Sequence, residues 1–91
     1  MSYEKYILRL ILEIPLSEFD GDMRMPTRLE TSMRVANVHT LREIFTQYQN
    51  QAALLSATQV GKKTVRDFVA ILMELEKRHG VRFDWLEHPK T

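Results

Sequence analysis

The chain has 91 residues, of which 44% are hydrophobic and 27% charged, and its formal net charge is +1. These values predict one globular domain and exclude a strongly basic nucleic-acid coat, so any DNA binding must come from a local patch. The absence of cysteine excludes disulfides and thiolate chemistry, and since small secreted domains usually need disulfides, we expect a cytoplasmic protein.

The first predicted element is an apolar segment over residues 1–14, followed by Pro15, which ends it. Its apolar residues fall at helical spacing, and Lys5, Arg9 and Glu13 lie four apart on the other face, so we predict a helix. The same residues also alternate as in a strand, and this alternative stays open. Apolar residues on more than one face predict packing on the core or on a partner, including a second copy in a homodimer.

A connector over residues 16–26 precedes the first of two capping-box sequences, Thr27-Arg28-Leu29-Glu30. In such a box, the threonine hydroxyl accepts from the backbone amide of the glutamate, which reaches back in turn. We therefore predict a short helix that begins with Thr27 as its cap, buries Leu29 and Met33, and stops at Asn37.

The second capping box, Thr40-Leu41-Arg42-Glu43, predicts another short helix. A single helical turn over residues 52–55 and a tight loop over residues 56–61 follow. The longest predicted helix runs over residues 62–79, because its apolar residues recur at 3.6-residue spacing and Gly80 stands where helices commonly end.

The last segment, residues 81–91, contains Phe83 and Trp85, which either fold back on the core or meet a partner. Taken together, the pattern predicts an all-α fold, a compact bundle of four to five short helices. The predicted organisation is an N-terminal apolar segment over residues 1–14, a helical domain over residues 15–80 and a C-terminal tail.

The segment most informative about function is Val60-Gly61-Lys62-Lys63-Thr64, which opens the longest predicted helix. Glycine allows a sharp turn or a close approach of another chain, and the unpaired amides of a helix start attract anions. Lys62, Lys63 and Arg66 oppose the helix dipole, which selection for stability alone would avoid. A solvated charged face is the alternative interpretation.

The ordered set of these segments resembles the C-terminal domain of the bacterial RNA polymerase alpha subunit. The resemblance covers about residues 14–79 and is carried by Pro26-Thr27-Arg28-Leu29-Glu30, Asn37-Val38-His39-Thr40-Leu41-Arg42-Glu43-Ile44, Leu54-Leu55, Val60-Gly61-Lys62-Lys63-Thr64, Ile71-Leu72 and Glu74-Leu75. It implies two helix-hairpin-helix-like units that contact the minor groove of A·T-rich promoter DNA, activators and the sigma factor.

The resemblance also implies roles for single residues. Arg28 stands at the position of the groove-inserting arginine, and Gly61, Lys63 and Thr64 stand on the turn that contacts the DNA backbone. A narrow A·T minor groove has an enhanced negative potential that favours an inserted guanidinium. The alternative is a surface arginine paired with Glu30 or with an aspartate of the connector.

Two positions depart from the family pattern, because Thr31 and Gln59 stand where asparagine is usual. Gln59 keeps an amide, whereas Thr31 is shorter and has none, which puts a contact with a base edge or sugar at Thr31 in doubt. The candidate DNA-binding residues are therefore Arg28, Thr31, Gln59, Gly61, Lys62, Lys63, Thr64 and Arg66.

The sequence contains no pattern typical of metal binding, nucleophilic catalysis or nucleotide hydrolysis. His39, His79 and His88 lack the spacing of metal ligands, and no serine lies in a nucleophile-elbow context. Gly61-Lys62-Lys63-Thr64 lacks the upstream glycine of a phosphate-binding P-loop, since Ser56 stands there. We therefore expect no enzyme activity, metal or cofactor.

We expect a transcription-related module that binds duplex DNA, with no membrane association. The alternative is a protein-interaction module that docks on RNA polymerase, a sigma factor or an activator without binding DNA itself.

Overall fold

A computed structural model describes residues 2–86. Over these residues it contains five α-helices and no strand, and a lone bridge joins Pro15 to Thr40. The helices are α1 (Tyr3–Leu12), α2 (Thr27–Val35), α3 (Leu41–Gln47), α4 (Gln51–Leu54) and α5 (Lys62–His79), and two 3-10 turns cover Leu16–Glu18 and Gly21–Met23. The predicted all-α bundle of four to five helices is confirmed. None of the helices between residues 2 and 86 has the length and apolar character needed to cross a bilayer.

The core forms around α5, whose Phe68 and Leu72 are fully buried. They pack in one cluster with side chains from α1, α2, α3, α4 and the segment after α5. That last segment, residues 81–86, folds back on the bundle and is here called the C-terminal segment. Its buried side chains are Val81, Phe83, Trp85 and Leu86.

Residues 3–12 form a helix, which excludes the strand alternative for this segment. The hydroxyl of Ser2 accepts from the Lys5 amide at 3.3 Å and caps the helix. Of its apolar side chains only Ile11 is buried, while Tyr3, Tyr6 and Leu10 remain 77%, 53% and 49% exposed. The helix therefore covers the core with one face and leaves a second apolar face uncovered.

One of the two predicted capping boxes forms, with the bond to the glutamate shifted by one residue, and the other does not form. Thr40 accepts from the Glu43 amide at 3.2 Å, and a Glu43 carboxylate oxygen accepts from the His39 amide at 2.9 Å. The prediction that Thr27 caps α2 is wrong, because Thr27 is already helical and the preceding Pro26 is the cap residue. A capping side chain must belong to the extended residue before the helix, and the side chain of proline has no atom that can accept a hydrogen bond.

The sequence indicated the residues that end α2 and α5 but not the residue that caps α4. Asn37, with φ 61°, and Gly80, with φ 64°, both take the left-handed conformation that ends a helix. Asn50, which the sequence analysis did not identify, caps α4 by accepting from the Ala53 amide at 2.8 Å.

An ion-pair network joins the second 3-10 turn to the end of α5. Arg78 donates to Asp22 and, at 3.0 Å, to Glu74. The hydrogen bond from Arg78 lowers the pKa of Asp22 below its ordinary value of 3.8. The same bond, together with that to Glu74, raises the pKa of Arg78.

Candidate nucleic-acid interface

Helices α2 and α5 begin at the same cleft, which has a volume of about 460 Å³. We call it the anion cleft, and its lining residues are Pro26, Thr27, Arg28, Gly61, Lys63, Thr64 and Asp67. The glycine turn and the first turn of the helix that carries Arg28 therefore lie side by side.

The two helices that begin at the anion cleft lack the side-chain caps of their neighbours. Ser2, Thr40 and Asn50 cap α1, α3 and α4, whereas Pro26 and Gly61 provide no capping side chain. The first-turn amides of α2 and α5 have no partner within their own helices. Two sets of amides and two helix dipoles therefore favour an anion at one place.

Arg28 forms no ion pair with any residue between 2 and 86. The aspartate of the connector that does pair, Asp22, binds Arg78 instead. Within the cleft, the Lys63 ammonium lies 3.9 Å from the Asp67 carboxylate, and these side chains are 88% and 51% exposed. Such an exposed pair contributes about 0–1 kcal/mol, so Lys63 remains free to meet another anion.

A second cleft lies beside the other half of α2 and has a volume of about 350 Å³. We call it the hydroxyl cleft, because it has uncharged walls rich in hydroxyl groups: Thr31, Ser32, Val35, Ala36, Tyr48, Ser56, Ala57, Thr58 and Gln59. Thr31 follows Arg28 by three residues on α2, so the two clefts neighbour each other along this helix.

Each cleft contains one of the two buried polar side chains found among residues 2–86. Thr64 lines the anion cleft and Ser32 the hydroxyl cleft, and each is 7% exposed. Neither hydroxyl forms a hydrogen bond with a described residue. No buried side-chain oxygen among residues 2–86 lacks a partner, so both hydroxyl oxygens are open to solvent or to a molecule that enters the clefts.

The structure divides the eight candidate residues among three places. Arg28, Gly61, Lys63 and Thr64 line the anion cleft, and Thr31 and Gln59 line the hydroxyl cleft. Lys62 and Arg66 line neither cleft, but both are exposed on the first turns of α5.

The expectation that Gly61 provides a sharp turn is wrong, because its φ of −99° and ψ of 178° suit any residue. The residue with the left-handed backbone is Gln59, at φ 67°. A Cβ atom added at Gly61 would meet nothing within 4 Å. The fold therefore does not require glycine at this position, and the space above its Cα is open to another molecule.

Three of the polar residues that line the two clefts and were not among the candidates are Asp67, Ser32 and Tyr48. Asp67 follows Lys63 by four residues on a helix, a spacing that indicates an ion pair and could have been recognised. Ser32 and Tyr48 gave no such signal, because their places depend on how α2, α3 and the loop before α5 meet.

Among the residues between 2 and 86, no group of three or more histidine, aspartate or glutamate side chains could hold a metal ion. His88 lies outside the described residues. Comparison of the chain with protein-family models, curated proteins and solved structures found no match. The resemblance to the alpha-subunit domain therefore depends on the quoted residues and their spacing, and the function it implies stays a prediction.

Proposed function

We propose that the protein is a small non-enzymatic module, related to transcription, that binds duplex DNA through the anion cleft. The observation that carries this proposal is the meeting of two helix starts without side-chain caps, α2 and α5, with Arg28 and Lys63 at one cleft. Helix starts and cations both favour phosphate oxygens. The preference for an A·T-rich minor groove comes from the resemblance at Arg28.

The distribution of charge favours a polymer over a small free anion. Lys62 and Arg66 lie outside the anion cleft on the same two turns of α5, where they can meet neighbouring phosphates. The hydroxyl cleft carries no charged residue and suits the sugars and base edges between phosphates. An extended anion with uncharged parts fits these surfaces together.

The test is fluorescence anisotropy with a labelled A·T-rich duplex at several salt concentrations. We expect the Kd to rise steeply with salt, with a logarithmic slope of about 3 to 4 if all four cations contact phosphates. Arg28→Ala should weaken binding about fivefold to a hundredfold, and Lys63→Ala should weaken it similarly for all sequences. The matched control is Lys77→Ala, which removes one exposed charge near the other end of α5 and should leave the Kd within about twofold.

If Arg28→Ala and Lys63→Ala leave the Kd unchanged, the proposed surface is wrong. Circular dichroism of each variant would confirm that a loss of binding is not a loss of folding.

A second candidate function is supported by the exposed apolar face of α1. Tyr3, Tyr6 and Leu10 are about half exposed or more, and grouped apolar residues of this kind are typical of protein interfaces. This favours docking on RNA polymerase, a sigma factor or an activator without DNA contact. Capture of purified polymerase that is lost on Leu10→Glu, combined with no DNA binding by the wild type, would establish this alternative.

A further inference from the structure

Trp85, the only tryptophan of the chain, is buried by aromatic side chains. Its indole stacks on Phe45 with ring centroids 5.2 Å apart and meets Phe68 edge-on at 5.6 Å. These contacts hold the ring, but its one polar group, the indole N–H, needs a hydrogen-bond acceptor. The indole N–H donates to the backbone carbonyl oxygen of Tyr48 at 2.7 Å.

Tyr48 is the cap residue directly after α3, and both of its backbone polar groups have partners. Its N–H donates to the Ile44 carbonyl at 2.8 Å, and its carbonyl accepts from Trp85. Because Tyr48 has an extended backbone, with φ −121° and ψ 103°, its carbonyl points away from the helical ladder. The indole thus fixes the peptide group at the end of α3.

Tyr48, whose side chain is partly buried, lines the hydroxyl cleft together with Thr31 and Gln59. Fixing the backbone at Tyr48 limits the directions in which this side chain can project. Contacts therefore run from α5 through Phe68 and Trp85 to the wall of a cleft.

We infer that Trp85 is a positioning residue, which acts through Tyr48 to keep the hydroxyl cleft shaped for the DNA strand beside the anion cleft. The inference rests on the proposed function for the identity of the ligand. It assigns the C-terminal segment a role in affinity as well as in stability.

A double-mutant cycle tests the inference. Trp85→Phe keeps an aromatic ring for stacking but removes the N–H donor, and Tyr48→Ala removes the wall but keeps the carbonyl. Each change alone should weaken binding of an A·T-rich duplex about threefold to tenfold, the range typical of one hydrogen bond. The double variant should bind no more weakly than the weaker single variant, because both act through one element. The inference would be overturned if the increases in Kd of the two single variants multiplied in the double variant, or if neither single variant raised the Kd.

The variant Phe83→Leu distinguishes a positioning role of Trp85 from a general destabilisation of the C-terminal segment. Phe83 packs edge-on against Phe45 at 5.8 Å and is not part of the hydroxyl cleft. All variants are measured at a temperature where circular dichroism shows them folded. We expect Phe83→Leu to lower the unfolding temperature and leave the Kd unchanged. An equal loss of affinity in Phe83→Leu and Trp85→Phe would refute the positioning role.

A measurement without DNA separates this inference from the proposed function. In the free protein, Trp85→Phe should move the amide chemical shifts of Thr31 and Gln59 and leave those of Lys62 and Lys63 in place. If Thr31 and Gln59 do not move, Trp85 does not position the cleft, whatever the DNA result. An unchanged Kd in Arg28→Ala would instead disprove the proposed function and leave the shifts to decide the inference.

Discussion

At the scale of single residues, the most informative group is the Thr64 hydroxyl. It lies on a side chain that is 7% exposed, lines the anion cleft and forms no hydrogen bond with residues 2–86. A hydroxyl that has no partner in the protein contributes little to the stability of the fold. The hydroxyl is therefore available to a molecule in the anion cleft.

Replacing Thr64 separates folding from binding. Thr64→Val removes the hydroxyl, so the free energy of unfolding should stay the same or rise by up to about 1 kcal/mol. The Kd for duplex DNA should rise, and Thr64→Ser, which keeps the hydroxyl, should restore most of the affinity. Urea unfolding and anisotropy measure the two effects. Unchanged binding by Thr64→Val would show that this hydroxyl contacts no phosphate.

The ion pair between Asp22 and Arg78 predicts how the stability of the protein changes at acid pH. Since Arg78 lowers the pKa of Asp22 below 3.8, the pair stabilises the protein above that pH, and the contribution is lost as pH falls through the lowered value. We expect Asp22→Asn to be less stable than the wild type near pH 7, and the difference to shrink below 3.8. Urea midpoints across this range measure it, with Asp20→Asn as the control. A difference independent of pH would contradict the prediction.

At the scale of elements, two identical patterns have different outcomes. Thr40-x-x-Glu43 forms a cap because Thr40 is extended, and Thr27-x-x-Glu30 does not because Pro26 takes the cap position. Residue types three apart predict a cap only when the helix begins between them. The sequence could not show which residue would be the first with helical backbone.

This difference is measurable with one substitution at each site. Thr40→Ala removes a working cap and should lower the free energy of unfolding by about 1 kcal/mol. Thr27→Ala removes a threonine that caps nothing, so the change should stay within about 0.5 kcal/mol. Equal losses at the two sites, as measured by urea unfolding, would show that Thr27 has a stabilising role that the geometry does not reveal.

At the scale of the whole molecule, the C-terminal segment completes the core. Phe83 is 2% exposed, and its backbone N–H donates to a Glu76 carboxylate oxygen at 2.7 Å. Phe83→Ala should therefore lower the free energy of unfolding by about 3–5 kcal/mol, a large share of the roughly 5–15 kcal/mol typical of a domain. Arg82→Ala, at the exposed neighbouring residue, is the control and should have little effect. A small loss in Phe83→Ala would contradict a core role.

The sequence predicted the bounds of the helices better than the contacts between them. The bounds of α5, 62–79, follow from apolar spacing and from Gly80, which are local features. Arg28 and Gly61 line one cleft although they lie far apart along the chain. The contact between Trp85 and Tyr48 joins residues 37 positions apart, and no local pattern encodes such a distance.

The open space at Gly61 has a consequence for engineering. Serine fits the backbone there, would meet no neighbour and would give α5 a cap worth a few tenths of a kcal/mol. Its oxygen would also accept from the amides that we propose bind phosphate. A screen for heat resistance would therefore select this change. The selected protein would be more stable but, under the proposed function, would bind DNA more weakly.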